Sequence, residues 1–238
     1  MRLHILGVNG PYPESHGATS GYLLEAGDDL IQFDMGCGVL SELTALTPPE
    51  LISAICVSHW HFDHTSDLLP MIYRLEAAGK QVPVYGPVDE HSAIRKIVDA
   101  AGCFDLHNVA AGERFAIGKT AITVCPARHP VPAVGFRAEQ EGRIFGFTGD
   151  TNTLEALNGC YRGCHLLLAD GLFPEADWTE EKPHLSAILA ARLGQEAGAE
   201  KLVITHLNPS YPSALLLKEA RTAYHDPVLA APGMTLAV

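Results

Sequence analysis

The chain has 238 residues, 47% of them hydrophobic and 18% charged, which is the balance of an ordinary globular protein. Its 28 Asp and Glu exceed its 16 Lys and Arg, giving a net charge of −12, and no Lys/Arg cluster interrupts the acidic excess. Neutralising phosphates drives proteins onto long nucleic acid, so a polynucleotide substrate is disfavoured, though a small phosphodiester is not.

In chain order, Leu3–Val8 reads as a first strand running into the loop 9–13. Tyr22–Ala26 and Leu30–Asp34 make a hairpin across Gly27-Asp28-Asp29, and a helix near 38–46 follows the tight turn Asp34-Met35-Gly36-Cys37-Gly38. Asp34 reads as a carboxylate that orients a metal-bound histidine, or as a plain turn residue. Leu51–Val57 is a short apolar run, β-branched in part and preceded by Pro48-Pro49, so it reads as a buried strand. Directly behind it stands Ser58-His59-Trp60-His61-Phe62-Asp63-His64, expected as a loop at the strand's C-terminal end. Residues two apart in an extended loop point the same way, so His59 and His61 can grip one ion. Asp63 and His64, just beyond, can reach a second. Imidazole nitrogen with carboxylate oxygen suits zinc, with manganese or iron as alternatives.

Ser66–Ala77 and Ala93–Ala101 carry apolar residues at helical spacing, with the short strand Val82–Gly86 between them. Strands are then expected at Phe104–Val109, Ala121–Cys125, Val134–Glu139 and Ile144–Thr148. His129 follows one of these strand ends; alone, a histidine before a proline reads as structural. Asp150 follows another, among Gly146, Thr148 and Gly149, and can bridge two ions through its two oxygens or cap a helix starting at Thr153. Leu166–Asp170 is a further buried strand, Pro183-His184-Leu185-Ser186 opens a helix through Ala197, and Lys201–Thr205 delivers His206. Two sheets packed face to face with helices outside account for this order, as a single domain over 1–238. The six cysteines show no paired metal-site spacing and are read as structural. With no apolar run long enough for a signal peptide or membrane span, the default location is the cytoplasm. His4, His16, His91, His107, His165 and His225 are read as structural, and Tyr211 as a candidate substrate contact.

The pattern His-x-His-x-Asp-His behind a buried strand resembles the signature of the metallo-β-lactamase superfamily, whose members are α/β proteins, four-layer αββα sandwiches with a one- or two-metal site at the sandwich edge. The opening, with Gly17-Ala18-Thr19-Ser20-Gly21 and a strand ending in Asp34-Met35-Gly36, is similar to the ribonuclease Z and small phosphodiesterase branch. The resemblance implies two divalent ions: one on His59, His61 and His129, the other on Asp63, His64 and His206, with Asp150 between. It also implies His184 as a proton donor and Asp170 as its orienting carboxylate; a helix-start histidine and a turn aspartate are the plainer readings. Asp63, His184 and Asp170 are the candidate catalytic residues.

The departures from that family pattern are informative. Ribonuclease Z carries a long arm for transfer RNA between the third histidine and the bridging aspartate, whereas His129 to Asp150 here spans only a hairpin. β-Lactam-hydrolysing members place a cysteine near the position of Asp150, and oxygen-reducing di-iron relatives a glutamate in place of His61. The expectation is a hydrolase that activates water against a small or cyclic nucleotide-like diester. A carboxylic ester, lactone or thioester hydrolase is the alternative, since glyoxalase II-like thioesterases share the seven ligands. A non-hydrolytic oxygenase or binding protein is a further one. The partner expected is a small-molecule substrate rather than long nucleic acid or a membrane; a homodimer is an expectation from analogy with the branch alone, not from the sequence itself.

Overall fold

The computed structural model describes residues 1–238. The first half lays down β1 (Arg2–Gly7), β2 (Gly21–Ala26) and β3 (Asp29–Phe33) as an antiparallel meander, then α1 (Val39–Leu46) and β4 (Ala54–Cys56). A single helical turn α2 (Phe62–Thr65), then α3 (Leu68–Ala78), β5 (Val82–Gly86), α4 (Ala93–Ala100) and β6 (Phe104–Asn108) complete it. Strands β3 to β6 run parallel, each crossing over through helix, as parallel pairing demands. β4 is buried at all three residues, as expected for a strand covered on both faces.

The second half repeats the scheme. β7 (Arg114–Ile117), β8 (Thr120–Pro126), β9 (Val134–Gln140) and β10 (Arg143–Phe147) are antiparallel neighbours. After α5 (Ala156–Cys160) come β11 (Leu166–Asp170), α6 (Ala187–Ala197), β12 (Lys201–Thr205), α7 (Ser213–Ala220) and β13 (Val228–Leu229), with β10 to β13 parallel. β14 (Thr235–Ala237) returns to pair with β1. The sheets are ordered β14-β1-β2-β3-β4-β5-β6 and β13-β12-β11-β10-β9-β8-β7, so β8–β13 reproduces the strand directions of β1–β6.

Three apolar layers hold the halves together. Between the sheets lie Phe33, Phe136, Phe145 and Phe147, with ring centroids 5.3–5.9 Å from Phe33 at tilted or edge-on angles. The helices α1, α3 and α4 pack outside the first sheet over Leu43, Met71, Leu75 and Val98, and α5, α6 and α7 outside the second over Leu157, Ala190, Leu193 and Leu216. This is the expected αββα sandwich. Because β4, β8, β10, β11 and β12 all end at one edge, the loops that follow them meet there.

The structure differs from the sequence expectation in five places. The strand expected over Leu51–Val57 is confined to Ala54–Cys56, with Leu51 exposed in a 3-10 turn. The histidine motif is a loop only as far as His61; Phe62–Thr65 closes into a helical turn, with Thr65 Oγ1 donating to the His61 carbonyl at 2.7 Å. The helix expected from Thr153 begins at Ala156, because the Asn152 side chain takes the Thr153 amide (2.6 Å) and diverts the chain. Short edge strands β7, β13 and β14 and helix α7 carried too little periodicity to be read. Cys125 and Cys160 are joined in a disulfide that ties α5 to β8, while Cys37, Cys56, Cys103 and Cys164 are free. No helix is long and apolar enough to cross a membrane.

Candidate metal centre

Residues from five separate segments converge at the sandwich edge. Three groups of donor atoms lie within 4.8 Å of one another: His59, His61 and His129; Asp63, His64, Asp150 and His206; and His129, Asp150 and His184. All seven residues expected to hold metal are therefore brought together, and His184 borders the same space.

Local structure explains how each side chain is aimed. Past β4 the chain turns so that the Ser58 amide and hydroxyl donate to the Asp34 carboxylate at 2.7 and 2.8 Å. The other partner of Asp34 is Nδ1 of His64, at 2.7 Å. Asp34 is fully buried, and burial raises its pKa against the lowering by His64 and Ser58. It thus orients His64, as one of its two readings required. His59 Nδ1 lies 3.1 Å from Ser58 Oγ, His206 Nδ1 lies 3.1 Å from Ser20 Oγ, and His129 Nδ1 lies 3.2 Å from the Pro183 carbonyl. In each of these four rings Nδ1 is engaged by its surroundings and Nε2 is turned to the centre. Such outer partners set the tautomer and hold an imidazole for coordination. His61 is the exception: its Nδ1 faces the centre, 2.9 Å from His59 Nε2 and 3.2 Å from His129 Nε2.

Asp150 sits in the middle. Its Oδ2 is 3.1 Å from His64 Nε2, 3.3 Å from His206 Nε2, 3.6 Å from His59 Nε2 and 3.7 Å from His184 Nδ1. Asp63 Oδ2 approaches the same ring nitrogens of His64 and His206 at 3.6 and 3.8 Å. Two close approaches make this packing feasible. A β-carbon at Gly10 would run into the His206 ring, and Gly149, at φ +58°, takes a left-handed conformation against Ser58.

Electrostatics favours cations here. Burial pulls His59 and His206 well below the usual imidazole range and His129 down to about 4, so these rings present lone pairs rather than charge. The buried Nε2 atoms of His64 and His206 have no hydrogen-bond partner. Converging lone pairs and unpartnered buried nitrogens beside two carboxylates are costly unless a positive ion sits among them. The donor set of imidazole nitrogen and carboxylate oxygen is the kind that holds zinc or a related divalent ion.

His184 differs from the rest. Its Nδ1 lies 2.9 Å from Asp170 Oδ2. Burial lowers its pKa, but Asp170 and then Asp150 outweigh burial and push it up to about 9. Burial raises Asp170 to about 6, so near neutral pH the two form a charged pair. The Thr151 amide donates to Asp170 at 3.1 Å, fixing the carboxylate. Asn152 Nδ2 donates to the carbonyls of Thr179, Glu180 and Lys182, so the Asp150 loop holds the segment before α6, and Trp178 Nε1 within that segment donates to the His184 carbonyl. Phe173 lies 6.0 Å from the His184 ring and 6.3 Å from Tyr211, with Lys182 Nζ 5.0 Å above it. Tyr211 is therefore within the rim of the site.

Ser20, Ser58 and Asn152 were not picked out from sequence. Ser20 stands in the small-residue stretch 17–21 and Ser58 directly before the motif, which were the available signals; Asn152 carried none.

Comparison with known proteins is consistent with this geometry. The sequence profile of the beta-lactamase superfamily domain matches residues 22–207. The chain is 27% identical over 239 residues to the probable metallo-hydrolase YhfI of Bacillus subtilis, with 96% of each chain covered. The crystal structure of YhfI superposes with a TM-score of 0.93 at 26% identity, covering 99% of this chain and 98% of that one. Ribonuclease Z of Methanosarcina acetivorans is 24% identical over 300 residues, covering 100% of this chain and 98% of its own. The chain belongs to the beta-lactamase superfamily, with the fold of its metallo-hydrolases.

Proposed function

We propose that this member of the beta-lactamase superfamily is a hydrolase holding two divalent ions, zinc by preference, and that it cleaves a small or cyclic nucleotide-like phosphodiester. The observation that carries the reading is the paired donor set: three imidazoles on one side, two imidazoles and Asp63 on the other, and Asp150 within reach of both. Such a pair of ions supplies a nucleophilic water at neutral pH and offsets charge developing on the reacting oxygens.

The chain's own residues do the rest. Asp34, Ser58, Ser20 and the Pro183 carbonyl keep the imidazoles in their coordinating tautomers. Asp150 and Asp63 would supply the anionic ligands, and Asp63 would also accept a hydrogen bond from the attacking water. His184 carries a proton near neutral pH, held at Nδ1 by Asp170, which leaves Nε2–H to protonate the departing oxygen. The relatives named as ribonuclease Z support the phosphodiester over the carboxylic ester, since a ribonuclease breaks phosphodiester bonds. The acidic charge and the bare β9–β10 hairpin between His129 and Asp150 support a small substrate over a long RNA.

The test is a side-by-side assay of bis-p-nitrophenyl phosphate and a thioester panel on protein of measured metal content. Turnover of the diester with two zinc-type ions per chain is expected. Preferential thioester turnover would replace the phosphodiester reading, and bound iron with oxygen uptake would replace hydrolysis altogether.

A further inference from the structure

Beside the histidine–aspartate cluster, on the same edge of the sandwich, lies a cavity of about 350 Å³ of a different character. Pro87 and Val88 line it from the loop after β5, Val109 and Ala111 from the loop after β6, and Pro126 and Pro132 from the two arms of the 126–134 loop. Every side chain around it is proline, valine or alanine, so none can donate or accept a hydrogen bond and none carries charge. Its volume is at the small end of the ~300–1,000 Å³ typical of small-molecule sites.

Topology makes the cavity a neighbour of the metal centre. β5 and β6 run parallel to β4, so their C-terminal ends emerge beside the histidine motif; β8 ends and β9 begins at that edge in the facing sheet. The loop 126–134 that forms one wall also carries His129. Hydrogen bonds join wall and centre into one frame. Trp60, inside the motif, donates its indole N–H to the Pro87 carbonyl at 2.7 Å, and the Val134 amide donates to the Ser58 carbonyl at 2.9 Å. The Val109 amide donates to the Gly86 carbonyl at 3.0 Å, tying the two outer loops together. Three prolines stiffen the walls, so little ordering is needed when a ligand enters.

Resting on the phosphodiesterase reading, we infer that this cavity receives the non-reacting, uncharged substituent of the substrate, a nucleobase, gripped by its faces without readout of its edges. A phosphate, carboxylate or sugar hydroxyl would lose water there and gain no partner, so the charged part of the substrate stays at the metals. A nucleobase keeps its polar edge toward the open mouth while its ring displaces water from proline, valine and alanine. Contact of this kind depends on the presence of a base but is insensitive to which base it is.

The experiment is calorimetric binding to the zinc-loaded protein, using AMP, GMP and ribose 5-phosphate. Wild-type protein should bind AMP tighter than ribose 5-phosphate by roughly tenfold or more, the effect of burying one ring on apolar side chains, and GMP about as tightly as AMP. Two variants at exposed lining positions test the site: Ala111→Trp fills the cavity, and Val88→Asp places a carboxylate in its wall. Both should bring AMP down to the affinity of ribose 5-phosphate while leaving ribose 5-phosphate binding, metal content and melting temperature unchanged. Equal wild-type affinity for AMP and ribose 5-phosphate would overturn the inference, as would variants that weaken both ligands alike. If no phosphate compound binds the metal-loaded protein, the phosphodiester reading itself fails.

Discussion

The two halves of the sandwich share strand directions yet furnish the site in opposite ways. In the first half a single segment after β4, a loop closing into the turn α2, supplies His59, His61, Asp63 and His64 within six residues, with Asp34 behind them. In the second half β8, β10, β11 and β12 each end near one contributor: His129, Asp150, Asp170 and His206. A loop motif is positioned by its own turns and by Ser58 and Thr65. The scattered set is positioned by sheet register, and each member is fixed separately. The centre is therefore as dependent on the pairing of β10, β11 and β12 as on the motif itself.

The largest effect should come from the second half's central residue. Asp150→Ala removes the one carboxylate within 3.7 Å of four imidazoles, and should lower bound metal from two ions toward one and abolish turnover. Elemental analysis with a diester assay checks this, and full occupancy in that variant would take Asp150 out of the site.

Next comes His184→Ala, also in the second half but outside the proposed ligand set. It should slow an alkyl diester by ~10²–10⁴-fold, the usual range for general acid catalysis, and a p-nitrophenyl diester much less. Its metal content should match wild type. Equal slowing of both substrates would mean that His184 binds the phosphoryl oxygens; metal loss would mean that it is a ligand, as its place beside His129 and Asp150 allows.

A smaller effect is expected from the first half's supporting carboxylate. Asp34→Ala leaves His64 Nδ1 without its 2.7 Å partner and should weaken metal binding by ~10–100-fold, the usual cost of losing an outer partner. Ser20→Ala makes the matching change behind His206 and should cost less, because a neutral hydroxyl at 3.1 Å holds a ring more weakly than a carboxylate. Metal titration of the two variants ranks them; a larger loss at Ser20 would reverse the expected order. The least response should be to transfer RNA. With a net charge of −12 and no inserted arm, the protein should show no salt-sensitive binding in a filter or anisotropy assay.

The contrast between the halves also explains what was legible in the sequence. His59-Trp60-His61-Phe62-Asp63-His64 announces itself because four donors share one short segment. His129 before Pro130 and His206 after Thr205 carry no local pattern, and only family resemblance pointed to them. The layers could be read because β2, β3, β11 and β12 are apolar runs of strand length. Ser20 and Asn152 stayed hidden because their roles depend on partners 186 and 26–30 residues away in the chain. The Cys125–Cys160 pair, 35 residues apart, was hidden for the same reason.

The central claim is that the edge holds two ions, one on His59, His61 and His129 and the other on Asp63, His64 and His206, with Asp150 between them. Metal stoichiometry of dialysed protein tests it most directly, measured on wild type, His129→Ala and His206→Ala. The two donor groups predict two equivalents per chain in wild type and one in each variant, with the ion lost from a different position in each. One equivalent in the wild type, or two retained in both variants, would contradict the account.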